Sequence, residues 1–249
     1  MALDPVQVRE AFHCLVLQHL APGLGLDLRV KGGVNLRFYY GSERYSEDMD
    51  LDAAPRLRQR LKALLPKILH GPAIRRELLH LGIRDLDLPD RPAKDTDTVL
   101  RYKLGLFAGG VRYPTKIEVS FRSDASATWA TLARPFAEIV DPYRDIGTTY
   151  PEVGHYGRTA AVLQKIKALA LRGEVQARDV FDLNVLLSPT LDERLPAVDV
   201  ELLRAHLSDR VLADAFTRTF QISVDEFRDQ VAEFLPLGAR STHTANWDD

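Results

Sequence analysis

The chain has 249 residues, 45% hydrophobic and 27% charged, and its 33 Lys and Arg against 35 Asp and Glu leave a formal net charge of −2. That length and composition allow one large domain or two small ones with a sizeable core, and the near-neutral charge excludes a globally basic protein but not a local basic surface. Cys14 is the only cysteine, which excludes an intrachain disulfide and suits a reducing cytoplasm, and no stretch approaches the roughly 20 apolar residues that span a bilayer.

The N-terminus, MALDPVQVREAF, lacks a basic start followed by an apolar run, so no secretory leader is expected. Residues 5–20 carry the spacing of an amphipathic helix, with Pro5 near its start, Pro22 beyond its end and Cys14 in its core. LRVKGG (28–33) reads as a short strand entering a glycine turn, and 34–41 as a helix stopped by Gly41. Residues 48–53 alternate with period two and predict a strand. A helix is expected over 55–69, limited at its far end by Pro66. Its sequence holds Arg56, Arg58, Arg60, Lys62 and Lys67 with no acid, the best local candidate for contact with a nucleic-acid backbone.

Residues 97–108 and 115–122 also alternate, and Gly109, Gly110 and Pro114 between them predict a hairpin or meander. From about residue 155 the spacing turns helical, over 158–173, 177–187, 198–208 and 223–235. The expected fold class is α+β: a mixed sheet flanked by helices in residues 1–153, a helical lobe over 154–238 and a loose polar tail over 239–249.

The segment RYSEDMDLD (44–52) concentrates acids. On a strand, Asp48 and Asp50 share a face, roughly 6–7 Å apart. Such a pair is either a solvated strand face, with Met49 and Leu51 turned inward, or a seat for a cation that offsets the repulsion. Magnesium suits the second reading, because it prefers oxygen and is held by one or two carboxylates plus substrate phosphates. Gly32 and Gly33 upstream offer a turn at which phosphate oxygens can approach backbone amides and a helix N-terminus. Glycine turn, helix, then D-x-D on a strand is an order suited to phosphoryl or nucleotidyl transfer.

That order resembles the signature of the polymerase-beta-type nucleotidyltransferase superfamily: two glycines and a Ser or Thr, about a dozen residues, then D-x-D. Thirteen residues separate Val34 from Asp48, so the fit is to Asp48 and Asp50, and Glu118 in KIEVSF matches the third carboxylate on a later strand. The resemblance narrows to the AbiEii-type nucleotidyltransferases, toxins of type IV toxin–antitoxin and abortive-infection systems. The matching residues are Lys31, Gly32, Gly33, Leu36, Arg37, Arg44, Ser46, Asp48 and Asp50, followed by Lys165, Ala168, Leu169 and Arg172 in KIKALALR and by Arg178, Asp179, Asp182 and Leu183 in ARDVFDL. One position departs: Val34 stands where the family has Thr or Ser, and Asn35 and Ser46 are the nearby polar residues that could replace the hydroxyl.

The resemblance implies a nucleotidyltransferase core with a helical C-terminal lobe, transferring a nucleoside monophosphate from a nucleoside triphosphate to RNA, with the 3′ end of tRNA the acceptor in some relatives, and restrained by an antitoxin. Metal would be held by Asp48, Asp50 and Glu118, with Mg2+ as the ion and Mn2+ as its alternative. The catalytic set would be Asp48, Asp50, Glu118, Lys165 and Asp179, and the nucleotide-binding set Gly32, Gly33, Arg37, Arg44, Ser46, Lys165 and Asp182. Lys165 suits charge on a triphosphate and its leaving pyrophosphate. Asp179 and Asp182, three apart on one helical face, suit holding Lys165 or Arg172. Arg37 and Arg44 have the forked donors that bind phosphate but equally pair with a local acid. Asp52 is a supporting candidate and Glu47 a solvated acid. The histidines show no metal-ligand spacing among themselves or with Cys14, so no zinc site is expected. Two other readings stay open: a nucleotide- or partner-binding module with weakened catalysis, and a nucleotidyltransferase acting on a protein or small molecule.

Overall fold

A computed structural model describes residues 3–122, 128–144, 149–188 and 195–240. The chain divides into two compact units, Met1–Gly41 with Tyr45–Tyr156, and Ser42–Arg44 with Gly157 onward. Most of the expected tail, 241–249, lies outside the described residues.

In the first unit, α1 spans Pro5–Leu20 as the spacing predicts. Its environment differs from the amphipathic expectation, since eight consecutive residues from Glu10 to Leu17 are buried, covering every face of the helix. Two of its buried polar side chains are paired, since Glu10 accepts from Arg37 and from the Tyr143 hydroxyl and His13 meets Thr115 Oγ1 at 3.0 Å, whereas the buried Gln18 Oε1 has no hydrogen-bond partner among the described residues. β1 (Leu28–Lys31) leads into α2 (Gly32–Tyr40), which begins at the glycine pair rather than after it and stops at Gly41 in the left-handed conformation. β2 is Met49–Ala53.

The helix expected over 55–69 begins with a 3-10 turn, and α3 runs Arg58–Leu69 with Pro66 inside it. Proline costs the helix a hydrogen bond, about 3 kcal/mol. Burial of Leu61, Leu65 and Leu69 on one stripe offsets that cost, at roughly 1.5–3 kcal/mol each. α4 (Pro72–His80), β3 (Ile83–Asp87) and β4 (Lys94–Thr96) follow.

β5 (Val99–Ala108) and β6 (Val111–Ser120) form the hairpin, turning through Gly109 and Gly110, both at positive φ. A two-residue turn with that geometry matches the strand twist. Pro114 lies within β6, opposite Gly105, rather than in the connection. β7 (Ala130–Ala133), α5 (Ala137–Val140) and β8 (Val153–Tyr156) complete the unit.

The strands form one mixed sheet in the order β3-β5-β6-β2-β1-β8-β7, with β4 on β5. β2 sits between β1, antiparallel, and β6, parallel, so Asp50 has Lys31 on one side and Glu118 on the other. That register builds the site.

The second unit is helical: α6 (Arg158–Leu171), α7 (Ala177–Leu187), α8 (Val200–His206), α9 (Asp209–Thr219) and α10 (Val224–Gln230). Ala177 and Phe181 of α7 pack with Phe227, Val231, Ala232 and Leu235 as its core. No helix among the described residues is long and apolar enough to cross a membrane.

Two buried histidines make the first unit acid-sensitive. Burial, with the charge of Arg9, holds His13 at about 3 against the ordinary 6.5. Burial holds His155, stacked on Tyr39 at 3.8 Å, at about 4. A depressed folded value keeps stability intact above about 6.5 and loses it as pH falls through the folded value, at most ~1.4 kcal/mol per pH unit for each group. Urea titrations at pH 7 and pH 5 are therefore expected to differ by roughly 2–4 kcal/mol, and a flat profile contradicts this assignment.

Candidate active site

Gly32 follows β1 at φ 65°, a conformation that strains any other residue, and a Cβ there would come within 3.4 Å of Asp50 Oδ2. The turn therefore lies directly against the Asp50 carboxylate. Gly33 continues the first turn of α2, whose N-terminal amides have no side-chain cap. Asp48 stands just before β2, and the Ser46 hydroxyl donates to its carbonyl at 2.8 Å, fixing the backbone on which the carboxylate is mounted.

Lys116 was not singled out from the sequence, yet it lies at the centre of the carboxylates. Its Nζ is 3.1 Å from Asp48 Oδ2, 3.9 Å from Asp50 Oδ1 and 4.0 Å from Glu118 Oε2. Arg101 on β5 donates to Glu118 at 2.6 Å. The period-two rule carried the signal: Lys116 and Glu118 share the face that register places beside Asp50.

These contacts set the charges. Burial pushes the Asp50 carboxyl above its ordinary value, against the pull of Lys116 and Lys31 and with added repulsion from Asp48 and Glu118. Burial also works against ionised Glu118, but Arg101, Lys116 and Lys31 outweigh it and hold that carboxyl below its ordinary value. The Lys116 ammonium loses hydration, but the three carboxylates hold its value above the ordinary one.

The neighbouring residues brace this arrangement. Asp52 is buried and accepts from Lys31 Nζ at 2.6 Å and from the Tyr156 hydroxyl at 2.7 Å, so it ties Lys31 at the turn. Glu47 is half-exposed, 3.9 Å from Arg9. Arg37, expected to face phosphate, has its guanidinium bonded to buried Glu10 and lies 4.3 Å over the Tyr45 ring. Val34 packs in the core at 1% exposure. Asn35 does not replace the missing hydroxyl: its amide is buried and bonded to the Tyr156 carbonyl and to His155.

The donor chemistry suits a hard divalent ion, since Asp48 and Asp50 offer oxygen only and such ions complete their shells with water and substrate phosphate. Among the described residues no three His, Cys, Asp or Glu side chains converge closely enough to hold a metal alone. The aspartate pair therefore fits the ion as a partial shell, while Glu118 is engaged by Arg101.

In the second unit the structure gathers another set of the expected residues. Lys165 on α6 reaches Asp179 at 2.8 Å and Asp182 at 2.5 Å on α7. Arg172 bonds Asp179 at 2.7 Å, and Arg44 grips both oxygens of Asp182 at 2.9 and 3.0 Å. Both aspartates are buried. Burial opposes the charge on Asp182, yet Lys165 and Arg44 outweigh it and hold that carboxyl below the ordinary range. Three cations face two carboxylates, leaving the cluster a net positive charge.

The α3 stretch fares differently from expectation. Arg56 pairs with Asp27, and Arg58 and Lys62 both pair with Asp95. Acids distant in sequence thus offset three of its five cations.

A family model described as nucleotidyl transferase AbiEii toxin, type IV TA system, matches residues 15–248. The chain belongs to the AbiEii nucleotidyltransferase toxin family. It is a nucleotidyltransferase, and the family brings with it a nucleoside triphosphate substrate and an antitoxin partner. Solved structures agree on the fold. JHP933 from Helicobacter pylori aligns with TM-score 0.54 at 17% identity, covering 98% of this chain and 90% of that one. MenT4, the nucleotidyltransferase toxin Rv2826c from Mycobacterium tuberculosis H37Rv, aligns with TM-score 0.52 at 15% identity, covering 97% and 90%. No curated protein sequence matches the chain.

Proposed function

We propose that this AbiEii enzyme transfers a nucleoside monophosphate from a nucleoside triphosphate to the 3′ hydroxyl of RNA, tRNA being the leading acceptor, in the cytoplasm and under restraint by an antitoxin. The carrying observation is the position of Asp50 on β2, between Lys31 at the glycine turn and Glu118 on β6, with Asp48 just ahead of the same strand. In this reading Asp48 and Asp50 hold Mg2+, or Mn2+ in its place. A bound divalent ion supplies charge neutralisation at the α-phosphate and orients the triphosphate.

The chain's own residues do the rest. Gly32 and Gly33 present backbone amides to the phosphates, and Ser46 fixes Asp48. Glu118, or one of the two aspartates, accepts the proton of the attacking hydroxyl. Within the helical unit Lys165 is paired by Asp179 and Asp182, with Arg44 completing the Asp182 pairing, and its charge suits a polyphosphate. Arg37 has no direct part, since Glu10 takes its fork. Buried Val34 presents no surface to phosphate, so the absent hydroxyl does not argue for a catalytically weakened module.

The test is incubation of the purified protein with each labelled nucleoside triphosphate and total cellular RNA, with Mg2+ or with excess chelator. Label is expected in RNA with Mg2+ or Mn2+, and at least about a hundredfold less with chelator. Equal labelling in chelator overturns the metal assignment. Label in protein or a small molecule overturns the RNA acceptor.

A further inference from the structure

We infer that the pocket on the β5–β6 hairpin beside Asp48 is where the single-stranded end of the acceptor RNA docks, its phosphates held by Arg101, Lys103 and Arg112. This rests on the RNA reading above and adds the site, the residues and the direction of approach.

The pocket measures about 520 Å³, and its charged lining is Glu47, Asp48, Arg101, Lys103, Arg112 and Lys116. That volume lies in the range of sites for nucleotide-sized ligands. Its charge is not what stability alone would select. Register sets Lys103 directly opposite Lys116 on one face of the hairpin, and like charges in that position cost stability. Lys116 is answered by Asp48, Arg101 by Glu118 and Arg112 by Asp87, whereas exposed Lys103 has no ion-pair partner among the described residues. The Arg112–Asp87 pair is about half exposed, so its guanidinium can exchange a carboxylate for a phosphate at small cost. Gly105 lets Arg112 lie across β5: a Cβ there would stand 2.5 Å from Arg112 Nε.

Chemistry fixes which ligand belongs here. In-line displacement places the attacking oxygen and the leaving pyrophosphate on opposite sides of the α-phosphorus. The glycine turn ends β1 on one side of β2, and the pocket opens over β6 and β5 on the other. A triphosphate seated at the turn leaves the hairpin side for the attacking strand. A polyanion answers four lining cations set against the two lining acids Glu47 and Asp48, whereas a neutral protein hydroxyl does not. The α3 stretch, with Arg56, Arg58 and Lys62 paired, does not line the pocket that holds Asp48.

The test uses Lys103→Glu and Lys103→Ala in the full chain, since this exposed side chain has no part in holding the metal or the triphosphate or in proton transfer. A short single-stranded RNA ending in a 3′ hydroxyl and bulk tRNA serve as probes, with affinity read by fluorescence anisotropy across a salt series. Lys103→Glu is expected to weaken RNA binding about tenfold and to reduce the salt slope by about one, with Lys103→Ala intermediate. KM for RNA should rise while triphosphate affinity holds, and the melting temperature should not fall, since either substitution removes the like-charge pair with Lys116. Unchanged RNA affinity in Lys103→Glu, with wild type binding and labelling RNA, overturns the docking site and leaves the RNA reading standing. Weakened triphosphate binding at unchanged RNA affinity also overturns it, by assigning the pocket to the nucleotide. A wild-type protein that neither binds nor labels RNA overturns both.

Discussion

Asp50→Asn is expected to abolish transfer and raise the melting temperature together. The ionised Asp50 carboxylate stands near Asp48 and Glu118, with its water partly displaced, and Lys116 and Lys31 offset only part of that cost. The sign follows from linkage. A carboxyl whose folded value lies above its unfolded 3.8 contributes stability below that value and loses it as pH rises through the folded one. At neutral pH the charged group is therefore a net cost, and the isosteric amide removes it. The same amide is a poorer ligand for a divalent ion and no base, so transfer should fall at least about a thousandfold. Scanning calorimetry and label incorporation on one preparation check both halves. Lost activity with a lowered melting temperature contradicts the electrostatic account, and retained activity contradicts the site.

Asp182→Asn is expected to be the most destabilising polar substitution in the helical unit. Asp182 is fully buried and answers both Lys165 and Arg44. Removing its charge strands the buried Arg44 guanidinium, at a cost of about 3–5 kcal/mol. Arg172→Ala removes a partly exposed partner of Asp179 while Lys165 still pairs that carboxylate, so about 1 kcal/mol or less is expected. The double variant Arg44→Met with Asp182→Leu should recover much of the loss, because apolar packing replaces both charges at once. Urea midpoints of the four proteins check the order. Equal midpoints for Asp182→Asn and Arg172→Ala contradict it. The folded-state carboxyl of Asp182 is depressed, so its share of stability is present above about 3.8 and goes as pH falls through the folded value.

Local pattern made much of this legible in the sequence. α1 and α7 end where their spacing and punctuation say, and Gly41 stops α2 in the left-handed conformation its lack of a side chain permits. Elements held by non-local pairing were harder to see. β3, β4 and β7 carry no strong local signal, and Val153–Tyr156 looks like a connection until its parallel pairing with β1 makes it a strand, whereas α9 does carry one, the Ser208 cap at its start. Pro114 misled because the ladder to β5 holds β6 through it, whereas α3 ends at Leu69 as expected, with Pro66 inside its last turn and buried leucines holding it.

In the candidate site, the acids were readable and their partners were not. Spacing separates Asp48 and Asp50 from Glu47, but only cross-strand register reveals that Lys116 and Arg101 answer them. Arg37 reads as a phosphate ligand because nothing in its neighbourhood of the sequence announces that Glu10, on another helix, takes it.

The central claim is nucleotidyl transfer at Asp48 and Asp50, and a paired-label experiment tests it most directly. The same nucleoside triphosphate, labelled at the α-phosphate in one arm and the γ-phosphate in the other, is incubated with Mg2+, total RNA and either wild type or Asp48→Ala. Wild type is expected to put α-label in RNA and γ-label in pyrophosphate, and the folded variant to do neither. γ-Label in the acceptor, or equal α-label from both proteins, would contradict it.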